Sequence, residues 1–338
     1  MKSILNHKSF SRSTFFACAL LVASTATALG TTINHPSDGY TSVQAAVNAA
    51  GCGGTVYLAA GTYNERILLT CGSRLIGAGV GQTIIDGTNL TDPNGAPVIG
   101  LGNHPFVVFP FTQDYELANL TVRAGVNTTP QGVATGWSSN VSIHDLEITG
   151  FSTGLAIDLS FQDKIHDVSI VGAGPTLGRC IYVRERDVFE TYLTDGHMSS
   201  QEFHHNALSN CNIGLELQNS LGAVIQHNRV ERTSVGVRLF GVGQTDVQQN
   251  FIANSSVAGI VMSNSEAATI HHNTLCSNAT AVRYSQSVES RFGFAPSTNN
   301  LVHHNTFGLN GAGIVILDTL LGQGNRDFQN NTNASVCQ

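Results

Sequence analysis

Lysine is almost missing. Only Lys2, Lys8 and Lys164 occur in 338 residues, and Asp, Glu, Lys and Arg together make up 12% of the chain. With a formal net charge of −7 there is no basic stripe of the kind that grips a phosphate backbone, which argues against a nucleic-acid partner. The composition also argues against a lysine general base, because Lys164 is the only lysine beyond the N-terminal segment and its register puts it on a different face from the strand opened by Gly. No apolar run reaches the roughly 20 residues that a membrane-spanning helix needs. No CxxC pattern marks a thiolate metal site. The Leu-dense consensus of leucine-rich repeats is absent. Gly, by contrast, reaches 35 residues, and Asn, Ser and Thr are plentiful. These are turn-forming and strand-tolerant residues, so the composition belongs to a turn-rich β protein.

The N-terminus reads as an export signal. Lys2, Lys8 and Arg12 precede the apolar run "FFACALLVA", and small residues ending at Ala28 suit cleavage, giving residues 1–28 as signal and 29–338 as one mature domain. The expected location is secreted or periplasmic. Six cysteines then remain: Cys52, Cys71, Cys180, Cys211, Cys276 and Cys337. An even number in an exported chain suggests disulfides, although six cysteines allow 15 pairings. Proximity and repeat register favour Cys52 with Cys71, Cys180 with Cys211 and Cys276 with Cys337. Buried free thiols are the alternative.

A repeat organises the rest. An apolar residue leads each unit at Ile143, Ile165, Phe203, Ile225, Val247, Ile270, Val302 and Phe328, with steps of 22 or 23 residues where nothing is inserted. A fixed period in the low twenties means one supersecondary unit stacked on itself. Pieces of three to five strand-forming residues, separated by Gly, Asn and Ser, give three short strands per turn. That is an all-β solenoid, a right-handed parallel β-helix. Three residues after the lead stand Asn206, Asn228, Asn250, Asn273, Asn305 and Asn331, a candidate structural amide ladder. Asn also tolerates a left-handed turn, and these residues are expected to adopt one. Leu120, Leu146 and Val168 replace the ladder by aliphatic packing in earlier turns.

An open solenoid end needs a cap. "TSVQAAVNAAG" supplies a helix over about residues 42–50, with Thr41 and Gln44 as a capping box and Gly51 ending it. The segments "GGTVYLAAGTY" at 53–63 and "LIGAGVGQTIIDG" at 75–87 follow. In these stretches and in its downstream turns the sequence resembles the pectin-lyase-like right-handed β-helix superfamily, over nearly all of the mature chain. The resemblance implies a fold that hosts polysaccharide lyases, hydrolases, epimerases and non-catalytic proteins, with substrate lying along the outside of the strand opened by Gly. The catalytic motifs of those enzymes are missing: there is no "WIDH", no paired "DD" and no "DPHD".

Side chains alternate in and out along a strand. Counting from each opening Gly, the inward set is apolar, as in Leu215/Leu217 and Val237/Leu239. The outward set runs Ala156/Asp158, Tyr182/Arg184, Glu216/Gln218, Arg238/Phe240, Val261/Ser263, Arg283/Ser285 and Val315/Leu317. An insertion at about 184–201 springs from the same face and adds Arg186, Asp187, Glu190, Tyr192, Asp195 and His197. Asp158, Tyr182, Arg184, Glu216, Arg238 and His197 are therefore the candidate catalytic residues. Gln218, Phe240, Arg283, Arg186 and Asp195 are candidate substrate contacts. A solvated face of cross-strand ion pairs such as Glu216–Arg238 is the alternative.

Two chemistries suit this set. In β-elimination from a uronic acid, Arg184 and Arg238 clamp the sugar carboxylate while Tyr182, His197 or an arginine takes the α-proton. In hydrolysis, Asp158 and Glu216 act as the two carboxylates, about 9.6 Å apart from the rise of two turns. Asp158, Glu216 and Asp187 are also candidate ligands for Ca²⁺. The leading expectation is a secreted enzyme acting on an acidic polysaccharide, most readily a lyase. A glycoside hydrolase and a non-catalytic glycan-binding protein are the alternatives. His204, His205, His227, His271, His272, His303 and His304, with His144 and His166, read mainly as the hydrogen-bonding outer edge of the turns; a metal stripe is the second reading. Sequons at Asn89, Asn119 and Asn278 are expected by chance in so Asn-, Ser- and Thr-rich a chain.

Overall fold

A computed structural model describes residues 30–90, 95–102, 114–124, 131–184, 200–285, 297–317, 331–335 and 337. The proposed signal, the lead position Phe328 and most of the insertion lie outside these residues. In the described part the chain winds as a parallel β-helix in which every strand pairing is parallel, and the register is constant except for a shift between Asp114 and Glu116, where Asp114–Arg123 pairs with Gln131–Thr149. A leading face stacks Glu202–His204 on Val224–Gln226, Asp246–Gln248, Thr269–His271 and Leu301–His303. A second face stacks Ala207–Ser209, Arg229–Glu231, Phe251–Ala253, Thr274–Cys276 and Thr306–Gly308. The third, opened by glycine, stacks Thr153–Phe161, Arg179–Arg184, Ile213–Gln218, Val235–Phe240, Ala258–Ser263, Thr280–Tyr284 and Ala312–Ile316.

The inward residues of the third face form the core as their alternation predicts. Leu155, Leu215, Leu217, Val237, Leu239, Ile260, Met262 and Val282 are all buried. Ile316, on the last described strand of this face, is instead 45% exposed, because no further described strand covers it. The opening glycines have a packing cause. A Cβ on Gly236 would stand 2.5 Å from the Gly259 carbonyl oxygen and would collide with Ile252 of the second face. Only a residue without a side chain lets the two faces close at that corner.

The asparagine ladder is continuous. Nδ2 of Asn206, Asn228, Asn250, Asn273 and Asn305 each donates to Oδ1 of the next Asn at 2.9–3.0 Å, ending on Asn331. Each Oδ1 also accepts the backbone N–H of the preceding ladder residue, so a buried amide is satisfied at both ends. The expectation that these asparagines are left-handed is corrected. Positive φ falls on the residue just before: His205 at 56°, His227 at 55°, Gln249 at 54°, His272 at 55° and His304 at 53°. The bend is taken one residue early, so that the Asn side chain points inward to the next turn. A second, shorter ladder joins Asn278 Nδ2 to Asn310 Oδ1 at 3.1 Å.

The cap helix spans Val43–Ala50 and packs Val43, Ala46 and Val47 on the core. Its N-cap is Ser42 rather than Thr41, with Ser42 Oγ accepting from Ala45 N at 3.0 Å. Glu65 completes the cap from outside the helix, accepting from Val43 N and Gln44 N at 2.8 and 3.1 Å. Gln44 thereby leaves the expected box and bonds Asn48 and Leu68. Three disulfides join Cys52 to Cys71, Cys180 to Cys211 and Cys276 to Cys337.

Candidate functional site

Constant register lines up two outward stripes on the third face. One runs Ala134, Ala156, Tyr182, Glu216, Arg238, Val261, Arg283 and Val315. The other runs Gly136, Asp158, Arg184, Gln218, Phe240 and Ser263. Neighbours along a stripe are about 4.8 Å apart, so charged groups on adjacent turns meet. Asp158, Tyr182, Arg184, Glu216, Gln218 and Arg238 are brought together. Arg283 lies on the same stripe beyond Val261. Arg186, Asp187, Asp195 and His197 lie outside the described residues.

Glu216 is the hub, and its burial differs from the solvent-facing position that alternation assigns. Its side chain is 0% exposed, covered by Arg179 and Arg238. Arg179 Nε bonds Glu216 Oε2, while Arg238 Nη1 lies 3.4 Å from Oε1 and Gln218 Nε2 donates to Oε1 at 2.8 Å. Gln218 Oε1 in turn accepts from the Tyr182 hydroxyl at 3.0 Å. The Arg179 guanidinium sits 4.3 Å from the centre of the Tyr182 ring, and that of Arg238 5.9 Å from the Phe240 ring. One turn earlier, Arg184 Nη2 donates to Asp158 Oδ2 at 2.8 Å. That bond raises the Arg184 pKa further. Burial raises the Tyr182 phenol, against the opposing pull of Arg184 and Arg179.

A cleft of about 430 Å³ opens beside the Asp158–Arg184 pair. Trp137, Tyr182, Ala156 and Leu101 line it, and Leu68 and Pro97 from the early turns wall one side. Trp137 and Arg179 were not among the sequence candidates. Trp137 follows the stripe residue Gly136 and is turned toward the cleft by a φ of 52°. Arg179 precedes Cys180, which occupies the opening-glycine position on that turn.

The carboxylate pair is wider than the rise alone suggests. Glu216 lies two turns from Asp158 and two residues earlier along the strand. The backbone separation is then about 12 Å, against about 9.6 Å from the rise alone. Asp158 Oδ2 and both Glu216 oxygens are engaged by guanidinium or amide groups, and the two carboxylates do not converge on one point, so they do not fit a shared calcium ion. Among the described residues no three His, Cys, Asp or Glu side chains gather as a metal-holding group, and no helix is long and apolar enough to cross a membrane.

Comparison with solved structures decides the fold. ORF18 of Geobacillus virus E2 aligns with a TM-score of 0.56 and 14% identity over 90% of this chain and 62% of its own. The GH136 lacto-N-biosidase of Eubacterium ramulus aligns with a TM-score of 0.56 and 9% identity over 90% and 68%. The chain has the right-handed parallel β-helix fold. The tailspike protein gp208 of Dettilon is a further structure similar to this β-helix, with a TM-score of 0.50 and 12% identity over 81% of this chain and 63% of its own. The β-helix thus spans less than two thirds of the viral and tailspike chains. The family model described as periplasmic copper-binding protein (NosD) matches residues 190–335 of the β-helix. No curated protein matches it.

Proposed function

We propose that this β-helix is an exported carbohydrate-active protein that takes an acidic polysaccharide along its third face, with β-elimination from a uronic acid as its chemistry. Charge on that face carries the reading. Arg179, Arg184, Arg238 and Arg283 stand there against Asp158 and Glu216, on a chain whose net charge is −7. An anionic polymer is attracted to such a local excess of guanidinium, and the planar fork matches a sugar carboxylate. The rings of Trp137 and Tyr182 in the cleft offer flat surfaces against which a sugar ring packs. The lacto-N-biosidase on the same fold supports a saccharide as ligand. The three disulfides and the periplasmic description of the matched family support an oxidising compartment outside the cytoplasm.

In the elimination, Arg184 or Arg238 neutralises the sugar carboxylate and makes its α-proton acidic. Tyr182, held as the phenol by burial, is suited to protonate the leaving glycosidic oxygen. The base is then His197 or an arginine of this face, both candidates from the sequence. Non-catalytic glycan binding is the second reading. It is favoured by the ion pairs that engage Asp158 and Glu216, which leave neither poised as a base. The same ion pairs disfavour hydrolysis by the pair, since Asp158 Oδ2 and both Glu216 oxygens are already engaged.

The test incubates purified protein, with and without Ca²⁺, with pectin, alginate, glycosaminoglycans and neutral glycans. Absorbance at roughly 235 nm reports the unsaturated uronate that β-elimination leaves. A rise with an acidic polymer, lost in a folded Arg184→Ala variant, supports the lyase. Binding to an acidic polymer without a rise supports the second reading. Neither binding nor turnover with any acidic polymer overturns both.

A further inference from the structure

Among the described residues, surplus positive charge on the third face lies in two places, and neither belongs to the lining of the cleft. Arg184 is matched by Asp158. Arg179 and Arg238 share the single carboxylate of Glu216, which leaves one charge over on that group. Arg283 is not matched. Its neighbours along the stripe are Val261 on the turn before and Val315 on the turn after, and neither can pair with it. The side chain is half-buried, and its Nε is buried with no hydrogen-bond partner. A buried N–H that the protein leaves unsatisfied calls for an acceptor from outside.

The fold fixes the distance between the two places. Arg238 pairs with Val261, and Val261 with Arg283. The two guanidiniums therefore spring from backbone positions two turns apart on one stripe, about 9.6 Å by the strand spacing. The turn between them carries Val261 and Ser263 and no charge. Val261 is 6% exposed and forms a low floor between the arginines. An extended pyranose unit is about as long as one rise of the solenoid. Two anionic groups of a glycan laid along the solenoid axis, one held at Arg238 and one at Arg283, are then two sugars apart. A guanidinium takes a carboxylate through two parallel N–H bonds, and Arg283 keeps its Nε for such a contact.

Resting on the reading that an acidic glycan lies along this face, we propose that Arg238 and Arg283 are two anion subsites of one bound chain, and that the preferred ligand turns an acidic group to the face on every second sugar. Two kinds of glycan meet that condition. In one, acidic and neutral sugars alternate. In the other, every sugar is a uronate and successive carboxylates point to opposite sides. The competing account is a solvated guanidinium whose aliphatic stem merely covers Val261.

The full chain is titrated by calorimetry with two oligosaccharide series of increasing length. Unsulfated chondroitin has an acid on every second sugar, and oligogalacturonate has one on every sugar. Where an oligomer is turned over, KM replaces the affinity. The expected result is a step up in affinity once an oligomer is long enough to place acids on both arginines. Arg283→Gln is expected to remove that step, about tenfold or more, as the loss of a charge-assisted hydrogen bond does. The transfer variant Val261→Arg/Arg283→Val keeps the net charge but moves the guanidinium one turn closer to Arg238, and it is expected to bind as weakly as Arg283→Gln. If the transfer variant fails to fold, the length dependence of Arg283→Gln decides. Loss on the chondroitin series alone identifies an alternating polymer. Loss on the galacturonate series, alone or with the other, identifies a uronan that presents every second carboxylate. Wild-type affinity for both series in either folded variant overturns the two subsites and leaves the acidic-glycan reading standing. No binding of any acidic oligomer by the wild type overturns both.

Discussion

Replacing Asn250 by alanine tests whether the amide ladder or the apolar core holds successive turns together. Asn250 is 2% exposed and makes four side-chain contacts. Its Oδ1 accepts from Asn228 N and Asn228 Nδ2, both at 2.9 Å. Its Nδ2 donates to Ile225 O and Asn273 Oδ1, also at 2.9 Å. Truncation strands the buried Asn228 N–H, at about 1–3 kcal/mol, and removes further bonds from groups that keep another partner, at about 0.5–1.5 kcal/mol each. Together the loss comes to about 4 kcal/mol. Asn331 closes the ladder, and its side chain is only partly buried, so Asn331→Ala is expected to cost about 1 kcal/mol. Urea denaturation followed by circular dichroism measures both. Stacked repeats also open locally, so protection of the Asn228 amide by hydrogen exchange is read alongside. A loss below about 1 kcal/mol for Asn250→Ala, or equal losses at both positions, refutes the ladder as a main source of cohesion.

Three other outcomes follow from the packing. Glu216→Gln removes the charge that two partly exposed guanidiniums share; solvent reaches both arginines, so the expected loss is about 1–3 kcal/mol, and denaturation curves that superimpose on wild type would remove the hub from the account of stability. His204 has its pKa lowered by burial and by its neighbours His166 and His205. The unfolded imidazole therefore takes its proton first as pH falls, so stability is full above the unfolded value near 6.5 and declines below it until the folded His204 is also charged. The melting temperature should fall between about pH 7 and pH 5.5, less steeply in His204→Gln; parallel slopes would contradict this. Removing the Cys52–Cys71 bridge as Cys52→Ala/Cys71→Ala frees a 19-residue separation beside the cap and is expected to cost about 3 kcal/mol, checked by melting with and without reductant.

The register of the third face could be read from the chain because a strand has a period of two and Gly marks its start on most turns. Leu215, Leu217, Val237 and Leu239 therefore fell inward as expected. The same rule reports the direction of a side chain but not what lies over it. Glu216 points outward by count, yet two arginines from neighbouring turns cover it. Arg179 escaped notice because Cys180 replaces the marker glycine on its turn. Trp137 escaped because Ala134 and Gly136 leave its turn looking empty, and because its positive φ breaks the alternation. A lone tryptophan beside a glycine of the stripe was the available signal. The left-handed position was assigned one residue late, since Asn is the familiar occupant of such turns while His, Gln and Asp fill it here.

Length and alignment are uncoupled in this architecture. Ile165 still pairs with Phe203, and Ile270 with Val302, although 38 and 32 residues separate them instead of 22 or 23. The extra residues enter where the third-face strands end, after Arg184 and after Tyr284. The rungs act as a fixed chassis with sockets along one edge, the one after Arg184 beside the cleft and the one after Tyr284 four turns further on. Segments can be lengthened, shortened or exchanged at that edge without shifting a single strand. Ligand preference is then free to diversify at this rim, while the stacked interior, where each turn depends on the next, stays the same.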